Sequence, residues 1–357
     1  MRHKVLYVIY IFICLELLSD LLLFLPSKYF PDLSDRIGSN PRIDWVKRHL
    51  GRPLSVGTSS HSFDLYDQTK GWGLKPNLRG VKVFGDKILS SNSKGIRGRR
   101  EFPYQKESRK SRIIILGDSF TFGDGVSDDE TYAYHLQNLL GDETEVLNLG
   151  IHGYGHDQML LKLEEEGIKY APDIVLLGFI ADDMERNLTD FRSYAKPKFI
   201  LKNGNLIPVT KTVPQPGQIM IREITKCHFF DLADLFIKKL KRHWFRESEE
   251  MEKQKTTTAL LNEIKSVSES SGAKFFLVYL PMSDEIRNPR LSGAEKFALA
   301  YSAQYKVIYF NPKEALHENW EANKLAIDTG HYNPATHQEI GESIYRFILE
   351  HKLLNVK

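Results

Sequence analysis

Between Ser111 and Glu350 the apolar residues of this chain fall into short unbroken runs separated by amphipathic stretches. The run "RIIIL" is β-branched and continuous, which predicts a strand buried on both faces. It leads through a Gly-Asp-Ser turn into the helical pattern of "DDETYAYHLQNLL". The order then repeats. "TEVLNLG" predicts a second strand and "HDQMLLKLEEEGIKY" an amphipathic helix; "PDIVLLGF" predicts a third strand, "TTTALLNEIKSVSESSG" a helix, "AKFFLVYLP" a fourth strand and "YKVIYFNP" a fifth. Strands alternating with helices predict an α/β domain: a parallel sheet covered on both faces, joined by right-handed crossovers, with functional residues at the carboxyl ends of the strands. The alternation lapses between about Thr189 and Lys255, so an insertion is expected there. Within it, "DLADLFIKKLKRHWFRESEE" sets Leu232, Leu235, Phe236 and Leu240 near helical spacing, beside a basic face of Lys238, Lys239, Lys241 and Arg242. A solvated helix is the plain reading and a membrane-surface or lid helix the alternative.

The N-terminus follows a different pattern. "MRHK" precedes an apolar stretch from Val5 to Leu25, about the length that spans a bilayer, and no small-x-small cleavage site follows it. Residues 1–25 are therefore expected to form an uncleaved signal anchor, with Arg2 and Lys4 holding the N-terminus in the cytoplasm. The rest of the chain is then exported to the periplasmic or extracellular side. Glu16 and Asp20 lie one helical turn apart inside this stretch, where carboxylates are costly in lipid, and point to a partner helix or an interfacial placement. Residues 26–110, rich in Gly, Pro, Asn and Ser, read as an irregular lead-in with a few strands, such as "VKVFGDKIL"; residues 111–355 hold the α/β domain. The net charge of +3 over 357 residues, with no basic block interleaved with aromatics, argues against a nucleic-acid partner. Cys14 and Cys227 are the two cysteines, and with Cys14 in the apolar stretch they offer no disulfide framework.

Chemistry enters at the turns. A serine hydroxyl needs a base to become a nucleophile, and a tight strand-to-helix turn can expose it while aiming backbone N–H groups at a nascent oxyanion. Ser119, after Gly117, fits that geometry; the plain reading is that Asp118 or Ser119 only caps the helix. Near the C-terminus, "AIDTGHYNPATHQEIGESIYRFI" places Asp328 and His331 just before a helix that Asn333 can cap and Pro334 can open. On such a loop Asp328 can accept from His331 Nδ1–H while Nε2 faces Ser119. His337, inside that helix, reads as a packed or capping residue, and His152 and His156 as loop residues near the mouth of the site. Neither "HGYGH" nor "HYNPATH" has a Cys or carboxylate partner at a metal-site spacing, and no Gly-rich phosphate loop follows a strand, so no metal or other cofactor is expected.

These blocks, in this order, resemble the SGNH/GDSL hydrolase superfamily. "ILGDSFTFGDGV" is similar to its first block, "VLNLGIHGYG" to its second and "DTGHYNP" to its last, over roughly Ser111 to Glu350. The resemblance implies a three-layer, flavodoxin-like α/β domain in which Ser119 is nucleophile and oxyanion donor, Gly153 a second backbone donor, His331 the base and Asp328 its orienter. The third block, "GFIADDMERN", departs: Asp182 stands where the family has the asparagine whose side-chain N–H completes the oxyanion hole, and Asn187 is a substitute candidate. "YDQTKGWGLKPN…SSNSKGIRGRR" also resembles the lead-in of membrane-attached relatives. The implied function is ester hydrolysis through an acyl-enzyme, on a small molecule, an acetylated envelope glycan or a lipid. An O-acyltransferase using the same acyl-enzyme, and a non-catalytic binding protein with a degraded site, remain the alternatives.

Overall fold

The computed structural model describes residues 2–24, 40–50, 61–210, 212–244, 246–322, 325–328 and 330–354. Leu25, the lead-in over 26–39 and 51–60, and the side chains of Arg2, Lys4, Phe236, Lys238, Lys239, Leu240, Lys241 and Arg242 lie outside the described residues. Contacts divide the chain into two units, Met1–Trp72 with Asp190–Lys196 and Thr212–Glu252, and Gly73–Thr189 with Pro197–Lys211 and Lys253–Lys357.

All five expected strands are present in the second unit: β1 (Ser111–Leu116), β2 (Thr144–Asn148), β3 (Ile174–Phe179), β4 (Lys274–Tyr279) and β5 (Ile308–Phe310). They form one parallel sheet in the order β5-β4-β3-β1-β2. The chain leaves β1 for β2 on one side and comes back to β3 on the other. The strand order therefore reverses at β1, and a crevice opens beyond its carboxyl end. The helices used below are α1 (Arg2–Phe24), α2 (Ser119–Phe122), α3 (Tyr132–Leu140), α4 (His156–Glu165), α5 (Ala181–Arg186), α6 (Phe229–Trp244), α7 (Arg246–Ser270), α8 (Gly293–Tyr305) and α9 (Pro334–Glu350).

Residues of β1, β3 and β4 alternate between two buried faces, which is why these runs are largely apolar; β2 also buries Glu145 and Asn148, and β5 is half-buried. Ile113, Ile115, Ile174, Leu176, Phe276 and Val278 pack with Leu136 and Leu140 of α3 and Ile340, Ile344 and Ile348 of α9. Val175, Leu177 and Phe179 face the other way, where Phe179 stacks on Phe297 of α8 with ring centroids 6.3 Å apart. Each fully buried aliphatic side chain here contributes roughly 1.5–3 kcal/mol.

The boundary expected near residue 110 is not where the contacts divide. From Gly73 onward the lead-in belongs to the same unit as the sheet, and Arg97 shows why. Its buried guanidinium donates to the carbonyls of Phe122, Gly123 (2.7 Å) and Val126 (2.6 Å), and to Asp128 Oδ1 at 3.1 Å. One side chain thus satisfies the backbone acceptors where α2 ends.

In the first unit, Leu6–Phe24 is long and apolar enough to cross a membrane. The carboxylate of Glu16 accepts from the backbone N–H groups of His228 (2.6 Å) and Phe229 (2.9 Å), the start of α6, and Asp20 Oδ1 lies 2.7 Å from His228 Nδ1. The partner that the two acidic residues pointed to is the insertion's helix. Glu16 supplies the acceptor that the first turn of α6 lacks within itself.

Candidate active site

The Gly-Asp-Ser turn is built by close approach. A Cβ on Gly117 would lie 2.0 Å from Thr121 Oγ1, so only glycine lets α2 fold back over the end of β1. Thr121 Oγ1 is fixed in turn by Tyr132 Oη at 2.9 Å. Asp118 caps α2, accepting from the Phe120 N–H at 3.0 Å. The plain reading of the turn therefore holds for Asp118. It does not exhaust Ser119, whose Oγ lies 2.8 Å from His331 Nε2 and 3.2 Å from Asp118 Oδ2. The hydroxyl has one proton for two acceptors. Only the His331 tautomer protonated at Nδ1 offers Nε2 as a base.

His331 sits on the loop before α9, with its side chain 41% exposed and its ring 5.0 Å from that of Phe120. Asn333 caps α9 as expected, accepting from Thr336 N–H at 2.9 Å. Asp328 differs from expectation. Its backbone carbonyl accepts from Ser283 Oγ at 2.5 Å, but its exposed carboxylate makes no hydrogen bond or ion pair among the described residues, the one to His331 included. A loop residue that faces water gains more from solvation than from a hydrogen bond to one imidazole, and no neighbouring group holds it inward.

Of the expected oxyanion donors, the loop carrying Gly153 is bound to the turn: Leu149 N–H donates to Ile115 O at 2.8 Å and Ile151 N–H to Gly117 O at 3.1 Å. Gly153 adopts φ 73°, a left-handed conformation that favours glycine. Among the described residues neither the Ser119 nor the Gly153 N–H has an acceptor. Asp182, in the first turn of α5, is 52% exposed at its side chain, with Oδ2 3.8 Å from Arg186 Nη2. Asn187 is buried and its amide is occupied. Its Nδ2 donates to Thr257 Oγ1 at 2.9 Å and lies 3.0 Å from His156 Nδ1, and its Oδ1 accepts from His156 N–H. That side chain ties α4 to α7 and leaves no donor for an oxyanion.

His156 is correspondingly not a loop residue: it opens α4 and is fully buried, with its ring 5.0 Å from Phe179. His152 is buried with its ring edge-on to Phe122 at 6.0 Å. His337 is structural, its Nδ1 accepting from Tyr132 N–H at 3.2 Å while burial pushes its pKa down to about 3.

Two residues of the site were missed. Arg186, buried on α5, donates from Nη1 to Asp118 Oδ2 at 2.6 Å, Asp183 Oδ1 at 2.7 Å and the Tyr154 carbonyl at 3.0 Å. Burial works against its charge, and Asp118 and Asp183 more than offset that. Asp183 is fully buried, and burial followed by the Asp118 charge pushes its carboxyl well above the usual range. The spacing of Asp183 and Arg186 on one helix face was a readable sign of this pair; nothing in the sequence tied it to Asp118. The second missed residue is Asp124, held above Ser119 by a 3.0 Å bond from its N–H to Ser119 O.

The sequence matches no family description and no curated protein. Solved structures do match. A lipolytic protein of the G-D-S-L family from Desulfitobacterium hafniense DCB-2 aligns at 11% identity over 66% of this chain and 99% of its own, with a TM-score of 0.40. A psychrotrophic esterase, EstA, from Pseudoalteromonas sp. aligns at 16% identity over 68% of this chain and 99% of its own, with a TM-score of 0.40. An acetyl-xylooligosaccharide esterase from Geobacillus Stearmophilus aligns at 14% identity over 68% of this chain and 96% of its own, with a TM-score of 0.41. At such scores the likenesses carry no chemistry across; the atoms of this chain must supply it.

Proposed function

We propose that this protein is a membrane-attached serine ester hydrolase. The observation that supports the reading best is the 2.8 Å approach of His331 Nε2 to Ser119 Oγ at the carboxyl end of β1, between two residues 212 positions apart in sequence. His331 takes the serine proton as Oγ attacks the ester carbonyl, the oxyanion is met by the N–H groups of Ser119 and Gly153, and the alcohol leaves with the proton from Nε2. Water then releases the acid from the acyl-enzyme. Asp328, three residues before His331 on the same loop, is the carboxylate that this reading assigns to Nδ1. The deciding experiment is labelling by a fluorophosphonate probe, with the modified residue identified by mass spectrometry. Phosphonylation of Ser119, absent in Ser119→Ala, is expected; no labelling, or labelling elsewhere, would overturn the assignment.

Asp182 does not serve the oxyanion in this reading. A charge about 4 Å from the oxyanion would repel it by on the order of 4 kcal/mol at an intermediate dielectric, but a half-exposed carboxylate drawn toward Arg186 is screened. Asp182→Asn should therefore change kcat by less than about tenfold, since no hole donor is gained or lost. A wild type that is inactive until this substitution is made would instead favour a degraded site.

The apolar helix α1 supports membrane attachment with the remaining chain exported. The full-length protein should then resist carbonate extraction and be open to protease from the exported side alone. A soluble product starting beyond Leu25 would speak for a cleaved signal.

A further inference from the structure

Asp124 takes no part in the acylation just described, yet its carboxylate is placed in the site. The helix α2 begins with Ser119 and closes on Gly123, at φ 93°, so that the N–H groups of Gly123 and Asp124 both donate to Ser119 O, at 2.9 and 3.0 Å. This carries the Asp124 side chain back toward the base: Oδ2 lies 3.9 Å from His331 Nε2, the nitrogen that also faces Ser119 Oγ. The residue is only 8% exposed, and its Oδ1 is buried without a hydrogen-bond partner among the described residues. Burial raises its pKa, opposed by the nearby His152, His331 and Arg97. A buried carboxylate costs free energy unless something donates to it, so its persistence beside the base calls for a function.

Two polar atoms 3.9 Å apart can share one oxygen at a normal hydrogen-bond distance of about 2.8 Å from each. An oxygen in that position must give a proton to Nε2, and only an oxygen with a second hydrogen can also donate to the carboxylate. Water has two hydrogens and an alcohol has one. We infer that Asp124 holds the water that deacylates the Ser119 ester, and that it favours water over alcohol acceptors at that step.

The inference rests on the esterase reading above and decides between hydrolysis and acyl transfer. In the acyl-enzyme, the water oxygen attacks the acyl carbon. One of its protons passes to His331 Nε2, and the other stays bound to that oxygen and donates to Asp124 Oδ2. As the bond from the acyl carbon to Ser119 Oγ breaks, Nε2 returns its proton to Oγ, giving free serine and the carboxylic acid. An attacking alcohol instead turns its remaining lone pair or its alkyl carbon toward the carboxylate, and neither can donate to it. Asp124 cannot fix the His331 tautomer, because it faces Nε2 and not Nδ1.

The experiment uses the full chain in detergent with p-nitrophenyl acetate, with and without methanol as a competing acceptor. Pre-steady-state p-nitrophenol release, and the ratio of acetate to methyl acetate, are read out. Wild type should favour water over methanol per mole of nucleophile. Asp124→Ala should show a burst of one p-nitrophenol per site, then deacylation slowed about 10- to 100-fold, because the nucleophile is no longer positioned. Its product ratio should shift at least about tenfold toward methyl acetate. Asp124→Asn retains an oxygen acceptor and should stay within about threefold of wild type on both readouts. An unchanged product ratio in Asp124→Ala would overturn the inference, as would an Asn variant that loses as much as the Ala variant, which would point to the charge alone. Should Asp124→Ala not fold, a wild type that prefers methanol per mole overturns it equally. Failure of the esterase reading looks different: wild type then releases p-nitrophenol no faster than Ser119→Ala.

Discussion

Ser119→Ala and His331→Ala are each expected to lower kcat/KM for a short p-nitrophenyl ester by at least about 10³-fold while leaving the thermal midpoint unchanged. The two should not be additive. Once the nucleophile is gone the base has no proton to take, so the double variant should be little worse than either single one. The expectation of unchanged stability follows from position. Ser119 Oγ donates to no backbone group, and its partner His331 stands 41% exposed on a loop, so neither removal opens a cavity in the core. Asp328→Asn should cost much less, since the Asp328 carboxylate is exposed and makes no hydrogen bond among the described residues. Substantial residual turnover in Ser119→Ala at wild-type stability would refute the nucleophile.

Arg186→Met should produce the largest loss of stability of any single change near the site, about 3–5 kcal/mol at neutral pH, read from the denaturant midpoint. The cost is not the loss of two ion pairs. It is that Asp118 and Asp183, both fully buried, are left without the cation that justifies their burial. The pH dependence gives the sign. Without Arg186 the folded-state pKa of Asp183, already raised by burial and by Asp118, rises further above its unfolded value of 3.8. A group raised in this way destabilises the fold increasingly as pH climbs above the unfolded pKa, and less as pH falls toward it. The gap between variant and wild type should therefore narrow as pH falls through the wild-type folded pKa of Asp183, toward the unfolded value. A variant within about 1 kcal/mol of wild type at pH 7 would show that the carboxylates had found water or other donors.

The sheet was legible because its central strands β1, β3 and β4 are buried along almost their whole length and so carry short apolar runs bounded by turn residues. The helix Gly293–Tyr305 was less so, as "GAEKFALAYSAQY" mixes apolar and charged residues without a clear stripe, although Ser292 and Glu295 form a capping box that announces its start. The placement of Ser119 at a strand-to-helix turn and of His331 on a loop before a capped helix was readable from local motifs, since each has a short signature. Arg186, Asp124 and Arg97 were not. Their roles depend on which chain segments meet in space: Arg97 finds the carbonyls at the end of α2, and Arg186 finds Asp118, across 68 residues. Asp124 carried one faint sign, an acid set between Gly123 and Gly125 directly after the nucleophile's helix. Asn187 misled because a polar residue near a catalytic block looks free in sequence, while in the fold its amide is fully engaged.

The bond from Glu16 to the start of α6 bears on how the protein can be handled. Removing the apolar helix is the usual route to a water-soluble enzyme, and here it would also take away the acceptor for the His228 and Phe229 N–H groups and the carboxylate paired with His228. A chain shortened to begin after Phe24 thus leaves the start of α6 without those acceptors. Replacing Leu6–Phe24 by a soluble helix that keeps acids at positions 16 and 20 would preserve those bonds, and detergent extraction of the intact chain avoids the choice altogether.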